Sequence, residues 1–275
     1  MKRNLHIILI IVIIGLFPSC EKETVSQIDT IKLPPIVIDG RVADKLGESR
    51  VILSLPISEL NQNPSPITDA TVLIFSGDST WFFLHNESQP GTYLPQGSFK
   101  GVVNNSYTMQ VVYNNIVYSA KATMPPAIAF TTPKFSLQPD NLLKISWVAE
   151  TYHPITPALY ELKLDWSHLS SYQGQTTNET SATLRYYTLT TIDVNQILPP
   201  PNEQISFPTG TTITENCYSV SEDYEQFLHA LLLETNWQGG LFGSQGTRIP
   251  SNITNDAAGF FHASAVTSLS VVAAP

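Results

Sequence analysis

The chain has 275 residues, a formal net charge of −9, 42% hydrophobic residues and only 13% charged residues. That length accommodates one large or two medium domains, and the apolar content supports a packed core rather than a disordered chain. With 14 basic against 23 acidic residues, nucleic acid is excluded as a partner, because phosphate binding calls for clustered Lys and Arg.

Met1 to Asn4 is a small basic head, and Leu5 to Phe17 is an almost unbroken Leu/Ile/Val run. The run is too short to span a bilayer comfortably as a mature helix, and the pattern is that of a secretory signal peptide. Pro18-Ser19-Cys20 follows, then Glu21-Lys22-Glu23. A cysteine directly after the expected cut makes the segment resemble a bacterial lipoprotein signal. On that reading residues 1–19 are removed, Cys20 carries acyl chains, and residues 20–34 are a polar tether. The alternatives are an ordinary signal peptide with a chance cysteine, or an uncleaved N-terminal anchor. Acylation of Cys20 leaves Cys217 without a disulfide partner. Cys217 then reads as a buried small hydrophobe. A reactive thiol would want a His and an electropositive setting, and its neighbours are Glu215 and Tyr218.

From Ile36 to Met124 the chain reads as short strands separated by turns. Ile36 to Val42, Arg50 to Leu55, Ala70 to Phe75 and Thr80 to His85 are apolar and β-branched, with a loop at Asn61 to Pro66 and a turn at Gly77-Asp78. Gly91 to Leu94, Tyr107 to Tyr113 and Val117 to Ala122 follow, the last two joined by a tight Asn114-Asn115 turn. About seven such strands predict an N-terminal Ig-like or transthyretin-like β-sandwich over residues 35–126. Met124-Pro125-Pro126 marks the boundary, because consecutive prolines lack the donors a central strand needs.

Residues 127–275 read as a second β-rich domain. Leu142 to Trp147, Tyr160 to Trp166 and Leu184 to Leu189 are strands, residues 170–181 a long exposed loop, and Pro199-Pro200-Pro201 a rigid corner. Ser219 to Glu222 fits a capping box. Tyr224, Phe227, Leu228, Leu231 and Leu232 then recur at helical spacing, which predicts one amphipathic helix near 221–235. Its polar face (Glu222, Asp223, Glu225) would be repelled by anionic lipid, so packing against the sheet is expected. A final strand runs from Gly259 to Val272.

Catalytic motifs are missing: no Gly-x-Ser-x-Gly elbow, Walker loop, Gly-x-Gly-x-x-Gly unit or His-Glu-x-x-His occurs. His85, His153, His168, His229 and His262 are dispersed, without zinc-type spacing. Asp39, Asp165, Asp193 and Asp223 are scattered as well, and a glycosidase pair cannot be read from sequence. The expectation is no catalytic residue, no cofactor and no metal site. Aromatic rings are the remaining binding candidates: Trp81 on its strand, and Trp166 and Tyr172 beside the long loop. Such rings stack on ligands or serve as core. The segments 167–181 and 236–256 are the candidate partner surfaces.

The order along the chain also carries a resemblance. The signal ending at Cys20, the strand Ile36 to Val42, Ile67 to Val72, Gly91-Thr92-Tyr93, Ser106 to Val111 and Met124-Pro125-Pro126 come first. The helix from Ser221 to Leu233, the turn Pro250 to Ile253 and Gly259 to Val266 close it. Over essentially the whole mature chain this resembles a Bacteroidota outer-membrane lipoprotein family catalogued as a domain of unknown function (family four-two-four-nine). The first half also resembles the small sandwich found ahead of many outer-membrane receptors. The resemblance implies a lipid-anchored outer-membrane protein, with a TonB-dependent receptor as partner and no catalytic residues to carry over. Glu21-Lys22-Glu23 resembles that phylum's surface-export patch and implies a cell-surface location. Asp29-Thr30-Ile31 and Asp78-Ser79-Thr80 resemble its O-glycosylation pattern, which implies Thr30 and Ser79 as sites. The leading expectation is a non-catalytic accessory or binding subunit for nutrient uptake, contacting an unidentified small ligand. A surface glycan- or peptide-hydrolase and a structural or adhesive envelope protein are the alternatives.

Overall fold

The computed structural model describes residues 34–57, 62–129, 131–192, 205–235 and 249–274. The expected signal peptide, Cys20, Thr30 and the tether up to Leu33 lie outside the described residues. So do Asp193, the corner at Pro199 to Pro201, and residues 236–248 of the expected partner loop.

Seven strands come first: β1 Val37–Ala43, β2 Arg50–Ser54, β3 Thr71–Ser76, β4 Ser79–His85, β5 Thr92–Pro95, β6 Ser106–Tyr113 and β7 Ile116–Thr123. The short hairpin β8 Lys134–Leu137 and β9 Leu143–Trp147 follows, then β10 Ala158–Asp165. A 3₁₀ turn at Ser170–Tyr172, a short helix α1 Thr177–Thr180, β11 Ser181–Thr188, β12 Thr212–Ser219, helix α2 Glu222–Thr235, β13 Ala258–Ser264 and β14 Val266–Val272 complete the order. The mainly β architecture agrees with the sequence.

β1 to β7 and β13 form one eight-stranded sheet in the order β13-β1-β2-β5-β4-β3-β6-β7. Alternation drives it. Tyr107, Met109 and Val111 of β6 and Tyr118, Ala120 and Ala122 of β7 face a shared core, while their neighbours face out. The β6–β7 turn has Asn114 and Asn115 at φ 49° and 60°, the double left-handed geometry of a tight hairpin that Asn tolerates. The sheet curls so that its two edges are bridged. Thr254 N–H donates to the Ser119 carbonyl at 2.9 Å, and Ser119 N–H donates to Thr254 Oγ1 at 2.8 Å. Asn252 Nδ2 donates to Lys121 O (3.3 Å) on β7 and to Phe261 O (2.7 Å) on β13. The result is a sandwich-like, nearly closed sheet around a core that includes Phe261, 0% exposed. Burying a ring of that size contributes about 2–3 kcal/mol.

The remaining strands give a four-stranded sheet, β11-β10-β12-β14, and the β8–β9 hairpin. One face of this sheet (Leu162, Leu164, Ile213, Cys217) packs under the hairpin, where Phe207 meets Phe135 edge-on at 6.1 Å. The other face (Glu161, Lys163, Asn216, Tyr218) turns toward the first sheet. Lys45 Nζ donates to Asn216 Oδ1 (2.9 Å) and Ser268 Oγ (2.8 Å), and Tyr218 OH donates to Glu48 Oε2 (3.0 Å).

The expected boundary near Ala127 falls between β7 and β8. Beyond it the chain does not stay in the second sheet. The segment read as one final strand is two: β13 pairs parallel with β1, and β14 pairs antiparallel with β12. Gly259 enables the crossing. It sits at φ +95°, and a Cβ there would lie 2.0 Å from Ile38 O.

Three local readings need correction. Helix α2 begins at Glu222, and Ser221, not Ser219, faces its first turn, with Tyr224 N–H 3.4 Å from Ser221 Oγ. Ser219 ends β12 and its Oγ donates to Pro125 O at 3.2 Å. Glu225, read as part of the polar face, is buried at 4% exposure and accepts a hydrogen bond from Thr190 N–H at 3.1 Å. Residues 170–181 are not a plain loop. They hold the 3₁₀ turn and α1, where Glu179 Oε2 accepts from Thr176 N–H (2.9 Å) and Thr176 Oγ (2.8 Å).

Candidate functional site

A cleft of about 700 Å³ opens where the β7–β8 connection crosses the second sheet. Pro125 to Ala129 form one wall and Trp147 to Thr156 the other, while Tyr160, Thr188, Ser219 and Val220 form the floor. The walls are held by backbone contacts. Ser219 Oγ reaches Pro125 O, Thr267 Oγ donates to Ile128 O (3.1 Å), and Thr131 Oγ donates to Val148 O (3.2 Å). Prolines suit this wall because they stiffen a segment that pairs with no strand.

The lining is mostly apolar with few polar groups, the composition of a small-molecule site. Thr188 Oγ donates to Glu150 O at 2.5 Å. His153 Nδ1 accepts the N–H groups of Ile155 (3.3 Å) and Thr156 (3.0 Å) and lies 2.6 Å from Thr156 Oγ. Both backbone groups only donate, so Nδ1 carries no proton and Nε2–H is the ring's free donor. Burial pushes the Tyr160 phenol up to about 12, with Cys217 adding to the effect. Tyr160 therefore stays a neutral hydroxyl at the base of the cleft. These groups can sequester an apolar body and orient it through Tyr160, His153 Nε2–H and the Glu150 carboxylate.

Cys217 lies directly across β10–β12 from Tyr160. It is 0% exposed, and burial raises its thiol to about 11, the state of an apolar filler rather than a nucleophile. Two residues earlier, Glu215 faces the same core at 1% exposure, and neither carboxyl oxygen has a hydrogen-bond partner. Burial raises it to about 7. Among the described residues no group of three or more His, Cys, Asp and Glu could hold a metal ion, and no helix is long and apolar enough to cross a membrane.

The family model described as Domain of unknown function (DUF4249) matches residues 21–270. The chain belongs to this family. No curated protein matches it. A solved chain titled "Cytokine receptor complex - Crystal form 1A" is similar at 10% identity, covering 87% of this chain and 97% of its own, with a TM-score of 0.22. At that TM-score the similarity carries no argument.

In this DUF4249 chain the candidate aromatics sit away from the cleft. Trp81 is half-buried against the first core, its ring 4.8 Å from Phe99. Trp166 is 7% exposed within the second core, and Tyr172 packs against that core from the 3₁₀ turn. Ser79 is exposed beside the β3–β4 turn. Sequence reasoning did not find Tyr160, His153 or Glu150 as a group. The available signal was indirect: polar residues placed around Pro154 and Pro157 at the entry to a strongly alternating strand.

Proposed function

We propose that the chain is a lipid-anchored outer-membrane protein facing the cell surface, a non-catalytic accessory subunit that binds a small ligand for a TonB-dependent uptake receptor. Cys20 would hold it to the membrane and residues 20–34 would carry the β-rich body away from the surface. The observation that carries the reading is the roughly 700 Å³ apolar cleft with its few convergent hydrogen-bonding groups. The lining offers one carboxylate, Glu150, and one imidazole, His153, and Ser219 Oγ is occupied by backbone partners. That set orients a ligand and assembles neither a nucleophile–base pair nor a carboxylate pair.

Native mass spectrometry of protein extracted in mild detergent tests the cleft. Wild-type protein should carry a small molecule taken from the growth medium, and Ala149→Trp, which fills the cleft, should not. A wild-type protein that stays empty after incubation with spent medium would contradict the binding role.

A further inference from the structure

A second cavity, of about 310 Å³, lies where β1, β2 and β13 meet β10, β11 and helix α2. The registers put Arg41 on β1 directly beside Arg50 on β2 and His262 on β13. Like charges placed side by side on a ladder repel unless something offsets them. Arg41 is offset within the protein: its Nη2 is 2.9 Å from Glu48 Oε2, its Nε donates to Glu48 O (2.8 Å), and it lies 4.5 Å over the Tyr218 ring. Arg185 pairs with Glu161 at 3.3 Å, and Lys163 Nζ is 3.5 Å from the same carboxylate.

Arg50 is different. It is half-buried, it lines the cavity, and among the described residues no carboxylate pairs with it. His262 stands in the same wall at 4% exposure. Its Nδ1 is 3.0 Å from Ser264 Oγ, and its ring stacks on Tyr224 with centroids 3.9 Å apart. Burial, then Arg41 and Arg50, hold the imidazole well below its usual range, so it adds no charge. Asp39 also lines the cavity, at an exposed position on β1. The opposite wall is apolar, formed by Tyr187, Phe227 and Leu231.

One half-buried guanidinium with no carboxylate paired to it among the described residues, beside a neutral imidazole and opposite an apolar wall, selects for a specific chemistry. We propose that this cavity binds a small organic monocarboxylate with an aromatic or apolar body. The planar Arg50 fork matches a carboxylate with two parallel hydrogen bonds. The volume is at the lower end of small-molecule sites, so the body is one or two rings at most. A dianion such as phosphate would bring more negative charge than Arg50 offsets, close to Asp39 and Glu161. The site is separate from the larger cleft and does not depend on a role for it.

Calorimetric titration of the detergent-extracted full chain tests this, with phenylacetate, its neutral analogue phenylacetamide, and inorganic phosphate as probes. Phenylacetate should bind at least tenfold tighter than phenylacetamide, and phosphate should not compete. Arg50→Gln should erase the preference for acid over amide, and Arg50→Lys should keep part of it. Leu231→Trp should abolish binding of phenylacetate by filling the apolar end. Removing Arg50 breaks no ion pair, so Arg50→Gln should melt within a few degrees of wild type. Ala149→Trp, in the other cleft, should leave phenylacetate binding unchanged. Equal binding of acid and amide, no binding of either, an unchanged preference in Arg50→Gln, or competition by phosphate would each overturn the proposal.

Discussion

Replacing Glu215 with Gln should stabilise the protein at alkaline pH and leave it nearly unchanged at acidic pH. Glu215 faces the second core on β12, opposite Leu162 and Leu269, with both carboxyl oxygens unpartnered. Burial raises its pKa from 4.5 to about 7. The folded state therefore holds this proton more tightly than the unfolded chain does. Below about pH 4.5 both states are protonated and the group costs nothing through ionisation. Between pH 4.5 and 7 the unfolded chain ionises first, so stability falls as pH rises. Above 7 both states are ionised and the fold carries the full cost of a buried charge. A shift of about 2.5 units corresponds to about 3 kcal/mol. Gln keeps the shape and the unsatisfied polar atoms but cannot ionise. Thermal melts followed by circular dichroism at pH 5 and pH 8.5 read the difference between the two proteins. At pH 8.5 the variant should melt roughly 6–12 °C higher, and at pH 5, where the unfolded chain has only begun to gain from ionising, only about 2–3 °C higher. A difference that is the same at both pH values, or a variant less stable at pH 8.5, would refute the reasoning.

Two further outcomes follow from backbone and anchor. Gly259→Ala forces a left-handed φ on a side chain whose Cβ would meet Ile38 O at 2.0 Å. It should lose about 2–6 kcal/mol in urea unfolding. Gly77→Ala, also at positive φ but facing open space, should lose only about 1 kcal/mol. Equal losses would show that the β1–β13 approach is looser than described. Cys20→Ala should abolish incorporation of labelled fatty acid, and unchanged labelling would remove the lipid-anchor reading.

The strands that were legible are those whose inward residues alternate strongly. β6, with Tyr107, Met109 and Val111 inward, and its Asn114-Asn115 turn announce themselves. β12 was not legible, because its inward face carries Glu215 between Ile213 and Cys217 and so hides the apolar period. β8 is only four residues and depends on its hairpin partner. Local pattern also cannot say that Ala258–Ser264 and Val266–Val272 belong to different sheets. The first finds its partner near the start of the chain through tertiary pairing alone. The same reason hid both cavities. Pro125 and Pro126 read as punctuation, yet they wall a cleft whose other side is set by the loop before β10. Arg41, Arg50 and His262 come from three strands and meet only in register. The aromatic signal was real as burial: Trp166 sits in the second core, and Trp81 packs against Phe99.

Affinity purification of the full, detergent-solubilised protein from its native membrane tests the proposed receptor partnership most directly. A TonB-dependent outer-membrane receptor should be recovered with it in stoichiometric amount. A protein recovered consistently as a solitary monomer, under extraction that leaves other outer-membrane complexes intact, would contradict it.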